Sequence, residues 1–412
     1  MTSELRVVPK TVSSCRKKPA SRGLITQWIK RIESGNIRLV DEWGTIETGH
    51  PEAELQAELV VSCPTFYGQA VSGGELGIAE SYLEGHWNCS DLTSLFRIIL
   101  RSAGAMTSVR DRLRGLALWL VRLRSWHRRN NRRGSRKNIH EHYDLGNNFF
   151  QLFLDRTMNY SCAIFDEPGM SLEVASKRKM QTLCDDLQLK ESDHLLEIGT
   201  GWGALALFAA QQYGCRVTTT TISQEQFDHA RDRIREAGLA DRVTVLKQDY
   251  RDLAGTYDKV ISVEMIEAVG QRYLPIFFDR CHRLLRPGGV MSLQAILMNM
   301  KDRDFGRYAR STDFIREYIF PGGFLPSQQL IGKILQQQGV MEIDRIRDIG
   351  SHYVTTLQQW RDRFVRAGTE LHQLGFPDRF LRLWKYYFSY CEAGFAERHC
   401  TAVQMVLRKY ST

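Results

Sequence analysis

His194-Leu195-Leu196-Glu197-Ile198-Gly199-Thr200-Gly201-Trp202-Gly203 is the stretch from which the fold can be read. The apolar run at 194–199 predicts a short buried strand, and Ala204–Tyr213 predicts the helix that follows three alternating glycines. Glycine has no Cβ, so a strand-to-helix turn built this way lets backbone approach a ligand closely. Outward from it the alternation repeats: strand CRVTTTTIS (215–223), helix QEQFDHARDRIREAG (224–238), strands VTVLKQ (243–248) and YDKVISV (257–263), helix YLPIFFDRCHRLL (273–285), turn RPGG (286–289) and strand VMSLQAI (290–296). Such repeated units imply an α/β fold, a Rossmann-like and mostly parallel sheet with helices on both faces. Its ligand belongs outside the carboxyl ends of the strands.

The remainder of the 412 residues is organised around that unit. Residues 1–22 read as a basic flexible tail, 23–106 as a smaller α+β accessory domain, 107–137 as an amphipathic helix with a basic linker, and 138–412 as the catalytic domain. In the accessory domain NIRLV (36–40) and ELQAELVV (54–61) predict strands, while GGELGIAESYLEG (73–85) and CSDLTSLFRIILRSA (89–103) predict helices. Leu113, Leu116, Ala117, Leu120 and Leu123 recur at helical spacing between arginines, giving a helix whose apolar stripe faces either the accessory domain or a membrane surface.

A composition of 43% hydrophobic and 25% charged residues excludes a disordered or fibrous chain. The nine cysteines are odd in number and form no CxxC pair or metal-ligand spacing, so free thiols in a reducing compartment and no metal are expected. Leu116–Val121, the longest uncharged apolar run of the arginine-rich region, is far short of a membrane span, and no apolar segment follows the basic start. The net charge of +9 lies wholly in residues 1–140, with 22 basic against 13 acidic residues; 121–137 alone hold eight basic residues and no acid. That run continues an amphipathic helix carrying Trp119 and Trp126, which suits anionic lipid headgroups; no nucleic-acid-binding fold accompanies it.

The strand at 217–223 ends in threonines and a serine, so the acid that would hold an NAD ribose is missing. Glu197 instead stands two residues before the first glycine. A carboxylate there suits the sulfonium and amino group of a methionine-adenosine ligand, whereas a pyrophosphate would require N–H donors.

The blocks HYDLGNNFF (142–150), YSCAIF (160–165), LEIGTGWG (196–203), TISQEQ (221–226), SVEMIEAVG (262–270), RLLRPGG (283–289) and FIREYIFPGGFLPS (314–327) resemble the cyclopropane fatty-acid synthase and mycolic-acid cyclopropane synthase family. The resemblance implies a class I S-adenosylmethionine methyltransferase fold. It also implies transfer of a methyl group from S-adenosylmethionine to a cis double bond of a membrane phospholipid's acyl chain, with deprotonation closing a cyclopropane. The alternative within the family is a methylene or methyl-branched chain finished by a flavin- or nicotinamide-dependent reductase. A homodimer, cytoplasmic and peripheral to the inner membrane face, is expected.

Carried over by motif, the cofactor residues are Tyr160, Ser161, Glu197, Gly199, Gly201, Thr221, Gln226, Asp249 and Tyr250. The resemblance further implies a bound bicarbonate as base, held by Cys162, Glu267, the backbone of Ile296 and Tyr318. Two positions depart from the pattern: Gln294 stands where the family has a histidine, and Ala268 follows the glutamate in place of another. An amide donates and accepts hydrogen bonds but cannot shuttle a proton, which brings the methyl-branching alternative forward.

Overall fold

The computed structural model describes residues 18–102, 145–299, 305–306, 308–309 and 313–410. The helix and linker expected at 107–137, most of the basic tail and the start of the HYDLGNNFF block lie outside them.

The accessory module contains α1 (Ala20–Ile29), β1 (Asn36–Asp41), β2 (Gly44–Gly49), β3 (Gln56–Val61), α2 (Thr65–Leu83), β4 (Trp87–Cys89) and α3 (Leu92–Ser102). Its sheet runs β2-β1-β3-β4, with β1 and β3 parallel. Both expected strands form, whereas α1, β2 and β4 have no counterpart among the sequence-based expectations. The helix expected from residue 73 begins eight residues earlier, at Thr65, and is bent at Gly74, where φ is 56°.

The second module continues with α4 (Asn147–Gln151), α5 (Leu172–Asp186), β5 (His194–Ile198), α6 (Ala204–Tyr213), β6 (Arg216–Thr221), α7 (Gln224–Glu236), β7 (Val243–Lys247), β8 (Tyr257–Val263), α8 (Leu274–Leu284) and β9 (Leu285–Met298). It closes with α9 (Gln328–Gln338), β10 (Met341–Asp348), α10 (Gly350–Arg366), α11 (Gly368–Gln373), α12 (Asp378–Ala396) and β11 (Cys400–Lys409). The seven strands lie in the order β10-β11-β9-β8-β5-β6-β7, and only β11 runs against its neighbours. This is the α/β sheet read from the sequence. Serine hydroxyls of Ser171, Ser223 and Ser327 accept the orphan N–H groups that open α5, α7 and α9, which fixes where each helix begins.

The two modules share one apolar core. Phe66, Trp87 and Phe96 of the first belong to the same buried cluster as Phe149, Phe153, Trp384 and Phe388 of the second. Phe96 meets Tyr386 edge-on at 4.8 Å. Polar contacts border the seam: Arg97 and Arg101 both reach Glu397, at 2.7 and 2.8 Å, and Arg361 and Thr93 share Glu392. Arg382 of α12 lies over the Tyr82 ring and donates to the carbonyls of Tyr82 and Trp87 and to Asn88 Oδ1.

Arg382→Met would keep the stem but orphan those carbonyls. It should lower unfolding free energy by about 3 kcal/mol in urea denaturation followed by tryptophan fluorescence. Because the core is shared, fluorescence and circular dichroism should still report one transition.

Candidate active site

The glycine turn leaves the carboxyl end of β5 with three left-handed residues: Gly199, Gly201 and Gly203 have φ of 105°, 51° and 84°. A Cβ on Gly201 would meet no protein atom within 4 Å, so the turn faces open space that a ligand can take up. Beneath it Glu197 is almost fully buried, and Thr219 Oγ1 donates to its Oε2 at 2.6 Å. Burial pushes this carboxyl up to about 8, against the opposing pull of Thr219 and of the Lys179 ammonium. A cation arriving at such a group regains the Coulomb energy that burial suppressed.

Thr221 and Gln226, expected to act together at the second strand, bond directly: Thr221 Oγ1 donates to Gln226 Oε1 at 2.8 Å. Asp249 is engaged by the Arg251 guanidinium, at 2.8 and 2.6 Å, and the Tyr250 ring packs edge-on to Phe277. A groove of about 1500 Å³ opens here, bounded by Asn147, Ile222, Ser223, Gln224, Arg233 and Asp249. It adjoins the adenosine end of the expected cofactor position and is not lined by the carboxylates at the carboxyl end of β8. The side chains available therefore fit a methionine-adenosine sulfonium: buried carboxylate, open glycine turn and polar groove.

A second cluster lies at the end of β8. Glu264 follows its last residue with φ of 47°, a left-handed backbone that costs energy for a residue with a side chain. Its carboxylate is buried and accepts three hydrogen bonds: from Cys162 N–H at 2.8 Å, Gln294 Nε2 at 2.8 Å and Tyr353 Oη at 2.6 Å. Glu267, in the short turn that follows, accepts the Ile296 N–H on Oε1 at 2.6 Å, while its buried Oε2 has no partner among the described residues. Burial, and next the neighbouring Glu264 charge, push Glu267 up to about 8. Lys179 is buried nearby and donates to Ser161 Oγ at 2.7 Å and Asn159 Oδ1 at 3.0 Å.

Four of the five residues expected around a bicarbonate thus converge: Cys162, Glu267, Gln294 and Ile296. Tyr318 does not bond to them; its hydroxyl donates to Glu80 of α2 at 2.7 Å. Tyr160 Oη meets Tyr387 Oη at 3.0 Å, its ring against Trp360. The Cys162 thiol points to the carbonyls of Ala163 and Ile349 and is held well above its ordinary pKa by burial, so it is the neutral thiol at neutral pH. Sequence reasoning missed Glu264, Tyr353 and Lys179. Glu264 left a signal, an acid directly at the end of an apolar strand; Tyr353 and Lys179 arrive from distant helices and left none.

A mostly parallel sheet with its cofactor turn after β5, a buried carboxylate at the end of β5 and two more just after β8 defines an S-adenosylmethionine-dependent enzyme of the class I methyltransferase fold. Residues 130–405 match the mycolic acid cyclopropane synthetase family, and the chain belongs to that family of cyclopropane synthases and lipid methyltransferases. It is 39% identical over 342 residues to the tuberculostearic acid methyltransferase UfaA1 of Mycobacterium tuberculosis, spanning 81% of this chain and 79% of that protein. It is 35% identical over 357 residues to the cyclopropane-fatty-acyl-phospholipid synthase of Escherichia coli, spanning 86% of this chain and 88% of that one. Among solved structures, the mycolic acid cyclopropane synthase CmaA1 complexed with SAH and CTAB superposes with a TM-score of 0.61 at 28% identity, over 66% of this chain and 98% of that one.

Two measurements test the site. Gly201→Val places a branched side chain in the open space and on a left-handed backbone, so calorimetry should find S-adenosylmethionine binding reduced at least about a hundredfold. Glu267 has a folded-state pKa of about 8 against an ordinary 4.5, so its contribution to stability is full below 4.5 and lost as pH rises through 8. Glu267→Gln removes that loss, and its unfolding free energy should exceed the wild type's at pH 8.5 by about 4 kcal/mol while the two come to within about 1 kcal/mol near pH 5.

Proposed function

We propose that this enzyme transfers a methyl group from S-adenosylmethionine to the cis double bond of an unsaturated phospholipid acyl chain, yielding a methylene-branched chain that a separate flavin- or nicotinamide-dependent reductase completes. The observation that carries this reading is Glu264. The Cys162 N–H and the Gln294 amide already donate to a protein carboxylate, so the donors a bicarbonate would need at this spot are taken. The residues present do not fit that anion, and the base belongs to the protein. The 39% identity to an enzyme named as a methyltransferase supports the same outcome.

S-adenosylmethionine supplies an electrophilic methyl on a sulfonium when bound. Glu197 faces the positive end of that ligand, Gly199 and Gly201 admit it, and Thr221 and Gln226 border its adenosine side. The alkene π pair forms the new carbon–carbon bond, the carbon–sulfur pair leaves with sulfur, and a carbocation remains on the chain. Glu264, whose carboxylate accepts three hydrogen bonds, and Glu267, whose ionised form a nearby cation favours, set a negative field toward that charge; hydrogen-bonded groups fixed in this way need little reorganisation as the cation forms. A 1,2-hydride shift moves the charge to the carbon that bears the new methyl, and Glu267 Oε2, buried and without a partner among the described residues, takes a proton from that methyl as its C–H pair becomes the exocyclic double bond. A cyclopropane is the second reading, favoured by the likeness to the Escherichia coli synthase along 88% of its length. There no hydride shift occurs, and the methyl C–H pair closes the ring onto the neighbouring cationic carbon as the proton leaves.

The lipid surface is proposed from the basic run at 121–137, with a homodimer held peripherally on the cytoplasmic membrane face. Among the described residues no helix is long and apolar enough to cross a membrane.

The test supplies purified enzyme with cis-unsaturated phospholipid vesicles and labelled methyl donor, in buffer with and without bicarbonate, and resolves products by fragmentation mass spectrometry. Label should appear as an exocyclic methylene at a rate independent of bicarbonate, and Glu267→Gln should reduce it about a hundredfold with cofactor binding retained. A bicarbonate-dependent cyclopropane would overturn the methylene assignment, and Gln294→His would then leave the product unchanged.

A further inference from the structure

Gln294 does not act alone. Arg347 of β10, Gln404 of β11 and Gln294 of β9 are direct register partners on three adjacent strands, so their side chains form one row across the sheet. Along that row Arg347 Nη1 donates to Gln404 Oε1 at 2.9 Å, Gln404 Nε2 donates to Gln294 Oε1 at 3.0 Å, and Gln294 Nε2 donates to Glu264 Oε1 at 2.8 Å. The other Gln294 hydrogen goes to the Cys162 carbonyl at 3.1 Å. Arg347 is fixed at the outer end by Asp186, which accepts from both of its terminal nitrogens at 2.7 and 3.2 Å. Both glutamines are almost fully buried, so water does not compete for these groups.

We propose that Arg347 and Gln404 are positioning residues that orient the Gln294 amide so that it donates to Glu264 and favours the ionised form of that carboxylate. The inference rests on the proposed function, in which Glu264 faces the cationic intermediate. The direction of every bond follows from one permanent charge. A guanidinium can only donate, so Gln404 must present its oxygen to Arg347 and its NH2 to Gln294. Gln294 must then accept from Gln404 and turn its own NH2 toward Glu264. A reversed Gln294 would set its one amide oxygen 2.8 Å from a carboxylate oxygen and 3.1 Å from the Cys162 carbonyl.

Other groups press on Glu264. Burial raises its pKa, while Tyr353, Gln294 and Cys162 N–H lower it by donating, as does the Lys179 ammonium. Glu267 adds a like charge when ionised, and Asp155, Glu197, Asp348 and Tyr387 surround Lys179, Cys162 and Tyr353 in turn. Among these, the amide is the contact whose direction the chain sets from the sheet surface.

Gln404→Glu is the discriminating variant, since it keeps shape and pairs with Arg347 but cannot donate when ionised. It draws the Gln294 NH2 away and leaves oxygen facing Glu264. In the vesicle methylation assay the acid limb of kcat should move up by about one pH unit, so that activity falls about fivefold at the wild-type midpoint, about tenfold well below it, and recovers at higher pH. KM for S-adenosylmethionine should stay unchanged. Gln404→Leu, which removes the relay without reversing it, should shift the limb less and in the same direction. Gln404→Glu with Gln294→His should restore the wild-type limb, because an imidazolium donates to both carboxylates. Infrared titration, with Glu264→Gln assigning the band, should show the protonated carboxyl of Glu264 persisting to higher pH in Gln404→Glu. A limb and a band that coincide with the wild type's, or a loss of kcat equal at every pH, would overturn the relay. A wild type that methylates no lipid at any pH would instead overturn the proposed function, and the infrared shift would still report on the relay.

Discussion

Burial of several carboxylates around one lysine is the constraint on which this site is built. Glu197, Glu264 and Glu267 lie out of water, with Lys179 the buried ammonium among them. Burying a charge is costly unless it is paired and hydrogen-bonded, and like charges at close range suppress one another. The protein divides the burden unequally. Burial raises all three, but Glu264 receives three donors that oppose the shift, whereas Glu197 has one hydroxyl and Glu267 one backbone N–H, and both of the latter are pushed up to about 8. One carboxylate is thereby solvated by the protein itself, and two are left responsive to what enters.

That division explains why the surrounding architecture is so interlocked. The donors to Glu264 come from the segment before α5, from β9 and from α10, so three separate parts of the chain must be in register before the carboxylate is satisfied. α10 is held by α12, and α12 by the accessory module through the shared aromatic core and the Arg382 and Glu397 contacts. Tyr318, bonded to Glu80, adds a direct link from the accessory module to the motif block FIREYIFPGG. The accessory module is therefore part of the wall behind the active site, not an appendage tethered to it.

The row from Asp186 to Glu264 shows how a sheet can transmit orientation without moving. Each amide has two states that differ only in which atom faces which neighbour, and a permanent cation at one end selects between them. Replacing an imidazole by an amide at position 294 gives up a proton carrier and gains a donor whose direction is set by its surroundings.

By itself the sequence determined the sheet, the glycine turn and the absence of an NAD-type acid, and it pointed to a sulfonium ligand at the strand-end carboxylate. Those features are local, carried by apolar periodicity and by Cβ-less positions within a few residues of one another, and they survive any arrangement of the rest. The resemblance of its blocks to the family further implied that Cys162, Glu267, Gln294 and Ile296 share one site. Only the tertiary structure decided what those groups touch. Glu264 takes the donors expected for an external anion, Asp249 is engaged by Arg251, Tyr318 turns to Glu80, and Gln404 reaches Gln294 across 110 residues of chain. Pairings of that kind follow from strand register and helix packing. A row across three strands has no periodicity to leave in the sequence, because its members share only a position in the hydrogen-bond ladder.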